Sequence, residues 1–272
     1  MNRPFSNCLA ALCLLSVACT SAPLTGRSQF LPFPASVENE IGANAWEEAL
    51  LEADQEGVLV TSGPQAAEVR HVGRAIANAA KRHPETSQLT QGYDWEFVLI
   101  ESDQVNAWAL PGGRSAVYTG LLGVATDEDE LAAVMGHEVA HALARHAGER
   151  MTQVLIVNAG LTAAMLLSED MDPEDRELLL ASLGLVSETG VLLPFSRTHE
   201  SEADEIGLLL SADAGYDPRA AVRLWKKMAA LSADRPPELL STHPSEATRL
   251  ADLAEIMPEA MQVWMRAKSE GR

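Results

Sequence analysis

The pentapeptide His137-Glu138-Val139-Ala140-His141 constrains this chain more than any other feature. Imidazoles four residues apart fall on one face of a helix and can reach one ion, and the glutamate between them can address a water held on it. The flanking sequence supports that helix. Val134, Ala140, Ala142 and Leu143 surround the charged triplet, which would be costly to bury unless something binds it. Asp127-Glu128-Asp129-Glu130 suits a helix start both as caps and against the macrodipole. The pattern predicts a helix from Thr126 or Asp127 through Arg150.

A catalytic zinc takes three protein ligands and keeps one position open, so a third ligand must come from elsewhere. The best source is Arg197-Thr198-His199-Glu200-Ser201-Glu202-Ala203-Asp204, at the start of another expected helix. Glu200 and Asp204 are spaced i, i+4, so one carboxylate can bind metal while the other orients a ligand imidazole through its second ring nitrogen. On chemistry alone, His199 or Glu202 serves equally well as the ligand.

The rest of the chain frames this site. With 47% hydrophobic and only 5% aromatic residues in 272, the composition leans toward a mostly helical α+β domain. Helical spacing over 37–83 is interrupted at Gly63-Pro64. Strand-like runs at Trp95 to Ile100, Val105 to Leu110 and Ser115 to Thr119, around Pro111-Gly112-Gly113, predict a small antiparallel sheet. The Ser115 to Thr119 strand is expected to receive an extended substrate by strand addition. Residues 151–167 are the most apolar stretch beyond the N-terminus; Gln153, Asn158, Gly160 and Thr162 within it favour a buried helix over a membrane span. The acidic Glu169 to Glu177 reads as a solvated connection, and further helices are expected over about 196 to 213, 218 to 231 and 244 to 267.

The net charge of -19 repels phosphate backbones, which excludes a nucleic-acid role. All three cysteines, Cys8, Cys13 and Cys19, lie in the first nineteen residues, so no thiol serves the rest of the chain. Residues 1–18 have the short apolar core of a signal peptide. Leu15-Ser16-Val17-Ala18-Cys19 resembles a bacterial lipobox, which would make Cys19 a lipid anchor, 19–36 a tether and 37–272 the folded domain. That reading places the protein in the periplasm, anchored to the outer membrane of a Gram-negative bacterium.

Taken together, His137-Glu138-x-x-His141, then Ser196-Arg197-x-x-Glu200-x-Glu202-Ala203-Asp204-x-x-Gly207, then Ser241-Thr242-His243-Pro244-Ser245 resemble the zinc metallopeptidase family of HtpX, the Oma-type proteases and the CAAX prenyl proteases. Asn106 to Gly113 and Gly215-Tyr216-Asp217-Pro218 extend the likeness, which covers roughly 40 to 260 and is nearest to Oma-like periplasmic lipoproteins. The resemblance implies a gluzincin-like fold with the sheet beside the active-site helix, and one Zn2+ held by His137, His141 and Glu200. It implies Glu138 as general base, Asp204 behind a ligand histidine, and His243 near the metal, either stabilising an oxyanion or capping zinc at rest. His199 and Glu202 then become structural or electrostatic, and His146, His71 and His83 exposed helix residues. Arg197 and Arg249 also match family positions, as salt-bridge or catalytic groups. The expected activity is hydrolysis of misfolded or unassembled envelope proteins; the alternative is a lipoprotein chaperone or assembly adaptor whose proteolysis is latent or lost.

Overall fold

Alternation along three short strands divides the interior in two. The structure, a computed structural model, describes residues 19–168, 172–175, 177, 193–231, 239 and 246–272. The proposed signal peptide, the stretch from 178 to 192 and His243 with its flanking motif lie outside these residues. In chain order the elements are β1 (Cys19–Ser21), β2 (Ser28–Phe30), α1 (Ala35–Gln55), β3 (Leu59–Val60), α2 (Pro64–Arg82), β4 (Glu96–Ile100), β5 (Ala107–Leu110) and β6 (Arg114–Tyr118). The single turn α3 (Thr119–Leu122) then leads to α4 (Glu128–Leu143), α5 (His146–Leu167), α6 (Leu193–Asp213), α7 (Arg219–Leu231) and α8 (Glu246–Ser269). Phe97, Leu99, Ala107 and Val117 point into the main core with α2, α4 and α6. Val98, Ile100, Trp108, Leu110 and Ala116 face the other way, against Trp46 and Leu50 of α1. The class is therefore α+β and mostly helical, as expected.

The sheet order is β3-β4-β6-β5. Its outer pairs are antiparallel, while β4 and β6 run parallel, an arrangement made possible because β5 folds back as the outer arm of the 107–118 hairpin. This corrects the choice of substrate strand: β6, which holds Ser115, has a partner on each side and no edge left to offer. The edges are β3 and β5, and β5 is the one whose residues Trp108 and Ala109 share a cleft with Glu138.

Asp127 caps α4 as expected, accepting the Glu130 backbone N–H at 2.8 Å, and the Glu130 carboxylate reaches back to the Thr126 N–H at 2.9 Å. The helix does not continue through Arg150. It stops at Leu143, and Arg145 adopts a left-handed conformation with φ 55° before α5 begins. The break is held by long-range partners: Arg145 pairs with Glu38 at 2.6 Å and donates to the Phe33 carbonyl, while Tyr93 and Gln29 donate to the carbonyls of Ala142 and Ala144.

Two further expectations change. The 151–167 stretch is helical, but beyond Gln153 it is not buried: Ile156, Leu166 and Leu167 are 58%, 64% and 87% exposed. By length and composition α5 is apolar enough to cross a membrane. The 19–36 segment, read as a tether, contains the β1–β2 hairpin and the start of α1, and its Arg27 forms ion pairs with Glu149 and Glu202.

Candidate metal centre

The centre forms where α4 crosses α6, and two glycines set how closely they approach. A Cβ on Gly207 would stand 2.7 Å from the backbone nitrogen of His137, and one on Gly136 would stand 2.8 Å from the Gly207 carbonyl oxygen. Only glycine at both positions lets the backbones touch beside the first histidine. The crossing puts Glu200 and Asp204, one turn apart on α6, against His137.

The donor atoms of His137, His141 and Glu200 all lie within 4.8 Å of one another. His137 Nε2 is 3.0 Å from His141 Nε2 and 3.2 Å from Glu200 Oε2, and His141 Nε2 is 3.5 Å from Glu200 Oε1. Two Zn–N bonds of about 2.0–2.1 Å at a tetrahedral angle require nitrogens about 3.3 Å apart, close to the spacing present. Two imidazoles and one carboxylate with a side open to solvent are the donor set of a catalytic rather than a structural zinc site, so these residues fit the metal.

Asp204 sits where the i, i+4 argument places it. Its Oδ1 is 2.9 Å from His137 Nδ1, and its Oδ2 accepts from Arg249 Nε at 2.7 Å. Arg249 also donates to Glu200 at 3.0 Å and lies 3.7 Å over the Trp225 ring. It is buried, with Nε on Asp204 and one terminal nitrogen on Glu200, so it forms ion pairs with both carboxylates. Arg197 is exposed at the start of α6. Burial opposes charge on His137, but hydrogen bonds to Asp204 and Glu200 outweigh it and carry its pKa up to about 9 in the metal-free chain.

Glu138 and His141 line an open cleft of about 250 Å³ whose far wall is Trp108 and Ala109 of β5, followed by Pro111. The edge strand thus lies across the cleft from the glutamate.

Sequence reasoning missed His146. It is buried, not exposed, with Nδ1 2.7 Å from His141 Nδ1 and Nε2 2.9 Å from Glu202 Oε2. Along an unbroken helix, residue 146 would lie about 140° around the axis from His141. The break at Arg145 is what brings it back, and no glycine or proline at 144 or 145 announces that break. His199 and Glu202 are buried beside the site. His199 Nε2 meets Glu149 at 3.0 Å and its ring stacks on His146 at 4.3 Å. Burial pushes the His146 pKa down to about 4, so the ring is neutral at pH 7. Glu202 is held at about 2: burial would raise it, but hydrogen bonds from His146, Arg27 and Thr25 prevail.

Residues 64–257 match the family model described as peptidase family M48. The chain is 38% identical over 192 residues to the mitochondrial metalloendopeptidase OMA1 of Arabidopsis thaliana, covering 70% of this chain and 37% of that protein. It is 34% identical over 242 residues to the OMA1 of Schizosaccharomyces pombe, covering 88% and 66%. It is also 34% identical over 169 residues to the beta-barrel assembly-enhancing protease of Escherichia coli O157:H7, covering 58% and 33%. The chain thus spans less than two thirds of the length of each of these relatives. They correct one expectation: the proteins matched at 38% over 192 and 34% over 242 residues are mitochondrial, so a bacterial outer-membrane location is not supported. A match over 64–257 takes in the whole α4–α6 crossing and the sheet edge facing it, and the chain belongs to peptidase family M48.

Proposed function

We propose that the chain is a zinc-dependent metalloendopeptidase acting on misfolded or unassembled proteins. One observation carries this: the donors of His137, His141 and Glu200 converge beside Glu138, in a cleft walled by an edge strand. His137, His141 and Glu200 would hold zinc, which supplies a Lewis acid for the scissile carbonyl and lowers the pKa of water. Glu138 takes the proton of the attacking water and later delivers it to the leaving amine. An extended peptide adds to the open edge of β5, so recognition runs through its backbone and selects unfolded chain over any one side-chain motif. His243 would stabilise the oxyanion or cap zinc at rest.

The family relatives support the hydrolytic reading, and their names supply the endopeptidase class. Glu138→Gln is expected to abolish cleavage of casein with zinc content unchanged. Undiminished turnover overturns the mechanism, and full biological rescue by this variant favours the chaperone or adaptor alternative. Lipidation at Cys19, which is exposed at the start of β1, belongs to the same reading and is tested by mass spectrometry of the mature N-terminus.

A second reading keeps the protease and places the apolar part of α5 in lipid, favoured by the exposure of Leu155, Ile156, Leu166 and Leu167. A Cys19→Ala form that stays with membranes at alkaline pH supports it; release into the soluble fraction removes it.

A further inference from the structure

A histidine that binds metal through Nε2 carries its hydrogen on Nδ1 and must donate it. For His137 the acceptor is Asp204, backed by Arg249 from α8. For His141 the atom in that position is Nδ1 of His146, at 2.7 Å. An accepting Nδ1 obliges His146 to carry its hydrogen on Nε2, which points at Glu202 Oε2, 2.9 Å away. Glu202 is in turn held by Arg27, through Nε at 2.9 Å and a terminal nitrogen at 2.6 Å, and by the Thr25 hydroxyl. Arg27 reaches past it to Glu149 at 2.9 and 2.7 Å, and Glu149 also takes His199 and Gln29.

We infer that His146 is a positioning residue for His141, and that the β1–β2 hairpin, through Arg27, is part of the metal centre. The two ligand histidines have parallel supports. His137 leans on Asp204 and the arginine of the C-terminal helix; His141 leans on His146, Glu202 and the arginine of the N-terminal hairpin. Each chain of hydrogen bonds ends on a carboxylate clamped by a guanidinium, so each ring is held in one orientation, with an acceptor waiting at Nδ1 when Nε2 binds metal. This rests on the metallopeptidase reading, since the support is useful only if His141 is a ligand.

Several features set this apart from simple packing. The break at Arg145 turns the chain so that residue 146 faces His141. The His146 ring is sandwiched by hydrogen bonds at both nitrogens and by the His199 face, which leaves it one orientation. Arg27 bridges two buried carboxylates from different helices, a costly arrangement to assemble for packing alone.

The experiment uses the full chain and two readouts besides activity: zinc affinity by competition with a chromophoric chelator, and the visible spectrum of the cobalt-substituted protein. His146→Leu is expected to weaken zinc ten- to a hundredfold and to shift the cobalt bands. His146→Asn, whose amide oxygen can accept from His141 Nδ1, is expected to recover most of the affinity. Arg27→Met is expected to give a loss of less than tenfold, because it loosens the far end of the chain. If His146→Leu fails to fold, Glu202→Gln, which keeps the shape and weakens the acceptor, is expected to lower affinity several-fold.

Wild-type affinity and spectrum in both His146→Leu and Glu202→Gln overturn the inference, as does an asparagine variant no better than leucine. Failure of the wild type to bind zinc strikes the metallopeptidase reading instead. Zinc binding that ignores positions 146 and 202 strikes only the positioning role.

Discussion

Asp204 Oδ1 lies 2.9 Å from His137 Nδ1, and the other oxygen of the same carboxylate is taken by Arg249 at 2.7 Å. The carboxylate therefore faces the imidazole in one orientation and raises its basicity toward a metal. Asp204→Asn preserves volume but removes the charge and offers Arg249 a poorer partner. Zinc affinity, read by chelator competition, is expected to fall about ten- to a hundredfold with little change in secondary structure.

The crossing of α4 and α6 has no room for a side chain at Gly207, where an added Cβ would stand 2.7 Å from the His137 nitrogen. Gly207→Ala must push the helices apart at the point where Glu200 is delivered to the site. Thermal unfolding is expected to show a loss of about 1–3 kcal/mol. Metal content is expected to fall with it, because the ligands sit on opposite sides of the gap.

Which parts of this site were legible in the sequence follows from the range of the interactions. His137 and His141 share a helix face, and Glu200 and Asp204 share another, so spacing alone grouped them into pairs. The N-terminus of α4 was equally readable from Asp127 and Glu130, whose capping contacts span three and four residues. Joining the pairs needed the family likeness, because the crossing depends on Gly136 meeting Gly207. His146 was misread because the break before it is imposed by Glu38 and by the Phe33 carbonyl, more than a hundred residues away. Arg27 was hidden in a stretch whose composition suggested a tether, and its partners Glu149 and Glu202 lie on α5 and α6. The exposed face of α5 was misjudged because an apolar run reads the same whether protein or solvent surrounds it.

The edge of β5 offers a direct test of substrate recognition. The Asn106 carbonyl accepts from Tyr118 N–H, and with the alternation of an antiparallel ladder Ala107 and Ala109 turn their amides toward the open side. Ala109 also lines the cleft. Ala109→Pro removes one outward N–H without interrupting the β5–β6 pairing, so kcat/KM on an unfolded substrate is expected to fall about three- to tenfold. Zinc content should stay at the wild-type level; loss of metal instead would mean that the substitution had disturbed the site itself.

Acid is expected to loosen the N-terminal hairpin before the rest of the fold. Glu202 is held at about 2, and Glu149, which burial alone would raise, is kept well below the usual carboxylate range by hydrogen bonds from Arg27, His199 and Gln29. Both carboxylates bind protons more readily in the unfolded chain, where a glutamate titrates near 4.3. Their contribution is present in full above that pH and is lost as pH falls through it toward the folded values. Urea unfolding between pH 6 and pH 3 is expected to show the midpoint dropping with acid. In Arg27→Met the carboxylates lose the partner that depresses them, so the midpoint should start lower at pH 6 and change less on acidification. A variant whose acid profile runs parallel to that of the wild type would show that Arg27 does not hold these groups down.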